Sequence, residues 1–549
     1  MSSRLARSAG LISIATMASR VLGVARETVL ASLFGASTSP AMDAFNVAFR
    51  VPNLVRDLFA EGAMTAAFVP TFTRTLHAQG REAAWRLGNL VINALLVVTG
   101  ALVVLGILFA APITRAIASG GIVELLLRPL GFAGGANAAQ GFIAVPGKLE
   151  LTTQLTQIMM PFLMTIAVAV AMMGMLNSLH RFFLPALSPA MFNVATILCA
   201  IFLVPYMPAV GLPHIAGIAI ATVLGGIGQI LVQWPSLRRE GFRYRPVLDF
   251  RDAGVREILR LMGPGTLGLA AVQINVVVNT SLASTQEQGA VSWLQYAFRL
   301  MYLPIGLFGV SIATAALPSI SKQAAEEDKA GMRATISAGL RMMLMLNVPA
   351  TVGLAVLALP IVQLLLEYRA FNPHDSLSTA AALIFYAPGL IGYSAVKIAS
   401  PSFYALRDSR TPVIVSVASV ALNLVLNLIL VQTALGYRGL ALGTAVAALF
   451  NAGVLLALLH RRLDGLDGPR VAMALFKILI ASAVMGATAH YVAEWLQIVL
   501  PGETWYVRAV RVFGAIAPAI LMLIASARLL RISELEDAMD RVLRRLARR

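Results

Sequence analysis

The chain is poor in charge, nearly devoid of cysteine, and has no polar stretch long enough to hold a separate catalytic domain. Charged residues make up 13% of its 549 residues, against roughly a quarter in an ordinary soluble domain. That excludes a soluble protein of this length. The single cysteine, Cys199, lies in an apolar run. No disulfide can form within the chain, and a lone thiol in such a run reads as a small core side chain. The six histidines show no metal-ligand spacing. There is no glycine-rich loop of the nucleotide-hydrolase type and no Ser/His/Asp set that stands out, which argues against an ATP-driven pump in one chain. No cofactor is expected, and the protein reads as a transporter and not an enzyme.

What the chain does have is apolar surface. Apolar residues make up 58% of it, and its mean hydropathy is +0.80. Runs near the roughly 20 residues needed to cross a bilayer recur throughout, among them Leu87–Phe109, Leu155–Leu179, Ile215–Val232 and Val413–Val431. The pattern predicts an all-α integral membrane protein with about fourteen transmembrane helices. The spans are 10–34, 41–72, 87–117, 151–179, 185–205, 213–235, 257–283, 290–319, 334–366, 377–405, 411–431, 437–459, 471–496 and 505–528. Arg20 interrupts the first apolar run too early for a secretory signal, so that segment is expected to stay in the mature protein.

A net charge of +17 could point to nucleic acid, but the cations cluster in alternate loops. With the N-terminus cytoplasmic, one side collects about 28 of them, including the run Arg238, Arg239, Arg243, Arg245, Arg251, Arg256 and Arg260. The other side collects about seven, including Arg128, Lys148, Arg369 and Arg438. Lys and Arg next to spans set orientation, so both termini are expected in the cytoplasm and nucleic acid is not an expected partner.

The chain also repeats itself. Ala48-Phe49-Arg50, Leu58-Phe59, Ala66-Ala67 and Pro70 return as Ala297-Phe298-Arg299, Leu307-Phe308, Ala315-Ala316 and Pro318. Pro161 and Pro185 return as Pro388 and Pro412, and Gly217 and Thr222 as Gly439 and Thr444. Each repeat holds six helices, so the two halves enter the membrane in the same direction, an architecture of transporters with substrate between the halves. The expected organisation is an N-terminal lobe at 1–236, a C-terminal lobe at 254–460, an extra helix pair at 470–529 and an amphipathic cytoplasmic tail at 530–549. The tail sets Ile532, Leu535, Met539, Val542, Leu543 and Leu546 on one face among arginines, which suits the anionic lipids of the inner leaflet.

Charges inside the spans carry the functional signal, because an arginine at a helix centre costs about 2.5–3.5 kcal/mol. The first span holds Arg20, Arg26 and Glu27; the second holds Asp43, Arg50, Arg56, Asp57 and Glu61; the eighth holds Arg299. Asp43, Asn46, Arg50, Asn53, Asp57 and Glu61 fall within a wedge of roughly 80° on a helix. Arg26 and Arg56 sit about 100° off the stripes of their helices and widen the polar faces. Cations prevail, and the planar fork of arginine suits phosphate oxygens. The alternative is that these charges only pair with one another and hold helices together. Arg341 and Lys397 read as snorkelling or paired. Asn275, Asn279, Asn423 and Asn427 could coordinate a cation or simply bond between helices.

The segment Ser19-Arg20-Val21-Leu22-Gly23-Val24-Ala25-Arg26-Glu27, with Asp43-Ala44-Phe45, Pro52-Asn53-Leu54-Val55-Arg56 and Phe59-Ala60-Glu61-Gly62-Ala63, closely resembles the MurJ (MviN) family of lipid II flippases. So do Ser292-Trp293, Arg299-Leu300-Met301 and Gly309-Val310, and the likeness runs over nearly the whole chain. The resemblance implies the multidrug/oligosaccharidyl-lipid/polysaccharide exporter superfamily. It implies transport of the undecaprenyl-diphosphate-linked peptidoglycan precursor, lipid II, from the inner to the outer leaflet of the bacterial cytoplasmic membrane. Alternating access of two lobes, assisted by membrane potential, comes with it, as does an apolar groove for the lipid tail on the last two helices. Substrate-binding arginines would be Arg20, Arg26, Arg56 and Arg299, supported by Arg50, with Glu27 and Asp43 as acidic partners and Asn53, Asp57 and Glu61 nearby. Cell-wall synthesis enzymes are conceivable partners.

Two departures stand out. Many relatives have Asp before the arginine of the eighth helix, where this chain has Phe298, and some have an acid three residues after it, where it has Tyr302. Some members bind sodium through carboxylates on the seventh, eleventh and twelfth helices. Here only Asn423, Asn427, Thr444 and nearby amides are available, which leaves coupling to a monovalent cation open. The rival within the superfamily, a multidrug or polysaccharide exporter, would call for an acidic cavity, and a non-transporting scaffold would have no use for intramembrane arginines.

Overall fold

A computed structural model describes residues 2–57, 64–118, 121, 142–532 and 534, with side chains for all of these except 2–16, 65–66, 263–271, 307–308 and 310. Among the described residues every regular element is a helix, and each of the predicted spans is helical. Among the described residues eight helices are long and apolar enough to cross a membrane, or ten if each of two bent pairs is one span. The predicted spans outside that set are 10–34, 41–72, 257–283 and 290–319. Three of these four carry the intramembrane charges; two of the three are described as helices shorter than a full span, Ala41–Arg56 and Ala290–Pro304.

The chain forms two compact units, Met1–Ser292 with Tyr368–Phe371, and Trp293–Glu367 with Asn372–Arg549. This division falls inside the segment 254–460 that the repeat assigns to the C-terminal lobe.

In the first unit, Ser2–Phe34 and Ala41–Arg56 are the charged helices. Gly80, with φ +87°, breaks the helical run Met64–Leu108. That left-handed residue, open to glycine at little steric cost, separates the second predicted span from the third. The core gathers Phe68, Phe72, Phe162, Met172 and Met175, with Trp85 and Trp234 packed against it around Phe242. The segment 242–252 has no regular structure. It is pinned to the third span by Asn89, which donates to Arg243 O (3.0 Å), and by Asn93, which donates to Arg245 O (2.8 Å) and Val247 O (2.9 Å).

In the second unit, Met343, Leu344, Ile398, Phe403, Leu455 and Leu459 lie in the core. Trp293 is fully buried and donates its indole N–H to Asp375 Oδ1 at 2.8 Å. Asp375 and Asn372 form the reciprocal cap that starts the helix Pro373–Tyr386. The helices Gly468–Val499 and Trp505–Leu529 pack along each other through Met485, Ala489, Ala515 and Ala519. They turn Phe476, Trp495, Trp505, Phe513 and Leu521 outward. Buried Arg508 ties this pair to the preceding helix region through Glu367 Oε1 (2.8 Å) and Glu367 O (2.7 Å).

The repeated prolines sit at the same kind of break in each unit. Pro161 (φ −59°, ψ −19°) precedes Phe162–Ser178, and Pro388 (φ −58°, ψ −30°) precedes Gly389–Ala405. A proline there removes a hydrogen bond from the turn before it and bends the span, by 43° at Pro388. Of the predicted tail, only its first residues are described. Glu534 is paired with Arg341, so Arg341 is held in an ion pair. The remainder of 530–549 and most of the loop 118–150 lie outside the described residues.

Candidate functional site

The arginines of the first unit do not stand where helical spacing alone puts them. Arg26 lies one position before Glu27, about 100° away around the helix. Its side chain bends back, so that Nε (3.1 Å) and Nη2 both donate to Glu27 Oε1. The guanidinium also lies 5.0 Å from the centroid of the Phe192 ring, a cation–π contact. Phe192 packs in tilted contact with Phe49 and Phe162 in turn. The same helix, Ala190–Phe202, also holds the first helix through Asn193, which donates to Ser19 O at 3.0 Å.

Arg56 repeats the device. Its Nε (3.0 Å) and Nη2 (2.7 Å) both donate to Asp57 Oδ1 of the next residue. Asp57 Oδ2 accepts from Asn53 Nδ2 (3.1 Å) and from Gln273 Nε2 (3.2 Å). Arg56 and Asp57 remain 23% and 20% exposed, against 13% and 9% for Arg26 and Glu27. A charge that keeps that much access inside a span faces water or ligand rather than hydrocarbon. Arg20 and Arg50 are half-buried on the same helices. Glu61 lies outside the described residues.

The stripe on Ala41–Arg56 is closed at its beginning. Asp43 is 1% exposed. It accepts from Gly289 N (2.9 Å), Ser292 N (3.0 Å), Ser292 Oγ (2.6 Å) and Lys148 Nζ (3.0 Å). Asn46 adds a bond to Ser292 Oγ at 3.1 Å. Asp43 thus caps the start of the helix Ala290–Pro304 from another helix, satisfying donors that have no partner within that helix. Lys148, which the sequence places among the loop and helix-end cations, is 1% exposed and also sits 4.3 Å from the Phe142 ring.

In the second unit Arg299 is half-buried on Ala290–Pro304. Phe298 and Tyr302 on the same helix belong to an aromatic cluster with Tyr386 and Tyr393. Asn423 donates to Thr444 Oγ1 (3.4 Å), and Asn427 donates to Asn423 Oδ1 (3.1 Å). Both asparagines are buried; the Asn423 bond crosses between Arg410–Leu430 and Tyr437–Arg462, and the Asn427 bond lies within the first of these helices. Among the described residues no group of three or more His, Cys, Asp or Glu is placed to hold a metal ion.

Sequence reasoning singles out the charges in these spans but not the groups that contact them. Gln273, Phe192 and Lys148 are distant in sequence from the groups they touch, and no local pattern signals them. Only the excess of polar side chains in otherwise apolar spans hints at Gln273.

A family model described as "Lipid II flippase MurJ" matches residues 30–506. This chain belongs to the MurJ lipid II flippase family. It is 36% identical to a probable lipid II flippase MurJ of Vibrio cholerae, over 84% of each chain. It is 35% identical to a lipid II flippase MurJ of Burkholderia cenocepacia, over 87% of this chain and 88% of that one. A solved lipid II flippase MurJ in an inward closed conformation matches with TM-score 0.72 and 26% identity, over 95% of this chain and 99% of that one. An inward-facing multidrug transporter of the MATE family matches with TM-score 0.64 at 18% identity, over 82% and 96%, a likeness of fold alone. The MurJ family's multi-pass membrane architecture is the one that the apolar helices form.

Proposed function

We propose that the protein is a lipid II flippase of the bacterial inner membrane, carrying the diphosphate-linked precursor from the cytoplasmic to the outer leaflet by alternating access. The observation that carries the reading is the paired device at Arg26 and Arg56. Each guanidinium is held by the carboxylate of the following residue inside a span, and Arg56 keeps access to its surroundings. A restrained arginine loses less freedom when it binds, and its guanidinium has further N–H donors, beyond those turned to the carboxylate, for phosphate oxygens. Arg26 and Arg56 ligate the diphosphate, Arg20 and Arg50 support them, and Arg299 is a further cation of the transport path. Both termini are cytoplasmic, membrane potential assists transport, and the outward apolar faces of the last two helices hold the prenyl tail. Anionic lipids contact the cytoplasmic tail.

The test is transport by Arg26→Ala, Arg56→Ala and Arg299→Ala in reconstituted vesicles. Each is expected to insert normally and to lose transport. Normal transport by all three removes the anion-site reading.

A further inference from the structure

Arg299 is flanked on its helix by Phe298 and Tyr302. The two residues do not fill space independently. Their rings are 5.7 Å apart at 31°. Phe298 lies 5.5 Å from Tyr386 at 72° and 6.3 Å from Tyr393 at 84°. Tyr302 lies 6.4 Å from Tyr393 at 65°. Four aromatic rings from three helices thus form one patch, in the separations that aromatic pairs favour.

The exposure of this patch is specific. Tyr386 is 8% exposed, whereas Tyr302 is 43% exposed. Tyr302 follows Arg299 by three residues, so the two share one helix face. An arginine at the middle of a span does not face hydrocarbon without a large cost. A span arginine favours a polar face over hydrocarbon, and the exposed Tyr302 ring shares that face.

We propose that Phe298, Tyr302 and Tyr393 form a saccharide-binding platform beside Arg299, taking a sugar ring of the substrate. One face of a pyranose presents C–H bonds with partial positive charge, which complement the negative face of an aromatic ring. Its hydroxyls can pair with the exposed Tyr302 phenol, both donor and acceptor. A patch of aromatic rings with a few polar groups and one cation is the composition of a ligand subsite. The aromatic side chains beside Arg299 give this face an amphipathic surface. The inference rests on the flippase reading above and adds a sugar subsite to it.

The experiment compares three probes on the detergent-solubilised full chain by native mass spectrometry. They are lipid II, the same prenyl diphosphate without saccharide, and the corresponding prenyl alcohol. Tyr302→Ala is expected to weaken lipid II binding by about threefold to tenfold and to leave prenyl diphosphate binding unchanged. Tyr302→Phe, which keeps the packing, is expected to weaken lipid II binding less, and again selectively. Equal weakening of both diphosphate lipids, or no weakening of lipid II in any variant, overturns the sugar platform. A wild-type chain that binds prenyl alcohol as tightly as prenyl diphosphate overturns instead the anion reading beneath it.

Discussion

Replacing Lys148 and Asp43 singly and together probes the most completely buried ion pair described in the first unit. Both side chains are essentially inaccessible, at 1% and 2% exposure, and their charged atoms are 3.0 Å apart. Removing one partner of such a pair strands the other charge, which costs about 3–5 kcal/mol, whereas replacing both with apolar groups costs far less. The two single losses are not equivalent. Without Lys148, Asp43 keeps three donors from Gly289 and Ser292, two of them backbone amides at a helix start. Lys148→Met should therefore fall near the cost of one charged hydrogen bond, about 1.5–3 kcal/mol. Without Asp43, Lys148 keeps the Phe142 ring, and the start of Ala290–Pro304 loses its cap as well. Asp43→Leu should therefore reach about 3–5 kcal/mol. The double variant should cost less than the sum of the two, by more than about 1 kcal/mol. Unfolding in mixed micelles, monitored by tryptophan fluorescence, supplies the four free energies of the cycle. Additive effects, or a Lys148→Met loss larger than that of Asp43→Leu, would refute the assignment of Asp43 as both counter-ion and cap.

Three further outcomes follow from particular residues. On a Cys199→Ser background, a cysteine placed in 236–256 should resist a membrane-impermeant thiol reagent added outside while one in 118–150 reacts; the reverse pattern overturns the orientation. Gly392→Ala should destabilise by about 1–3 kcal/mol through overpacking, since a Cβ there would meet Ala448 C at 2.5 Å and Leu449 N at 2.7 Å; an unchanged melting temperature contradicts that close approach. Asp408, in the turn before Arg410–Leu430, has its carboxyl held below the usual carboxylate range by the Thr411 backbone N–H, then by the Thr411 hydroxyl and Arg462. A depressed carboxyl stabilises the fold above its unfolded value and loses that contribution as pH falls through the folded one. Asp408→Asn should therefore melt below wild type at neutral pH, with the gap closing in acid; a gap that widens in acid contradicts the assignment.

Much of the fold is legible in the sequence because lipid imposes a simple rule: long apolar runs become helices, and loop cations mark the turns. Arg26, Arg56 and Arg299 are legible for the complementary reason, since intramembrane charge is costly enough to demand an explanation. What sequence does not reveal is which contact answers each charge. Lys148 sits before an apolar run and reads as a helix-end cation, and only folding brings it to Asp43. Arg26 and Arg56 lie off their polar stripes by helical angle, but a long side chain can bend back to the next carboxylate. Phe298 and Tyr302 read as missing acids; their role as one aromatic surface emerges only with Tyr386 and Tyr393 from two other helices.

The most direct test of the central claim is the appearance of lipid II on the outer leaflet of bacterial cells depleted of their own flippase and expressing this chain. Cleavage of lipid II by a hydrolase acting outside the inner membrane reports it. The account predicts that cleavage and growth are both restored by the wild-type chain and by neither Arg26→Ala nor Arg56→Ala. A correctly inserted wild-type protein that leaves lipid II uncleaved in the inner leaflet while the cells lyse would contradict it.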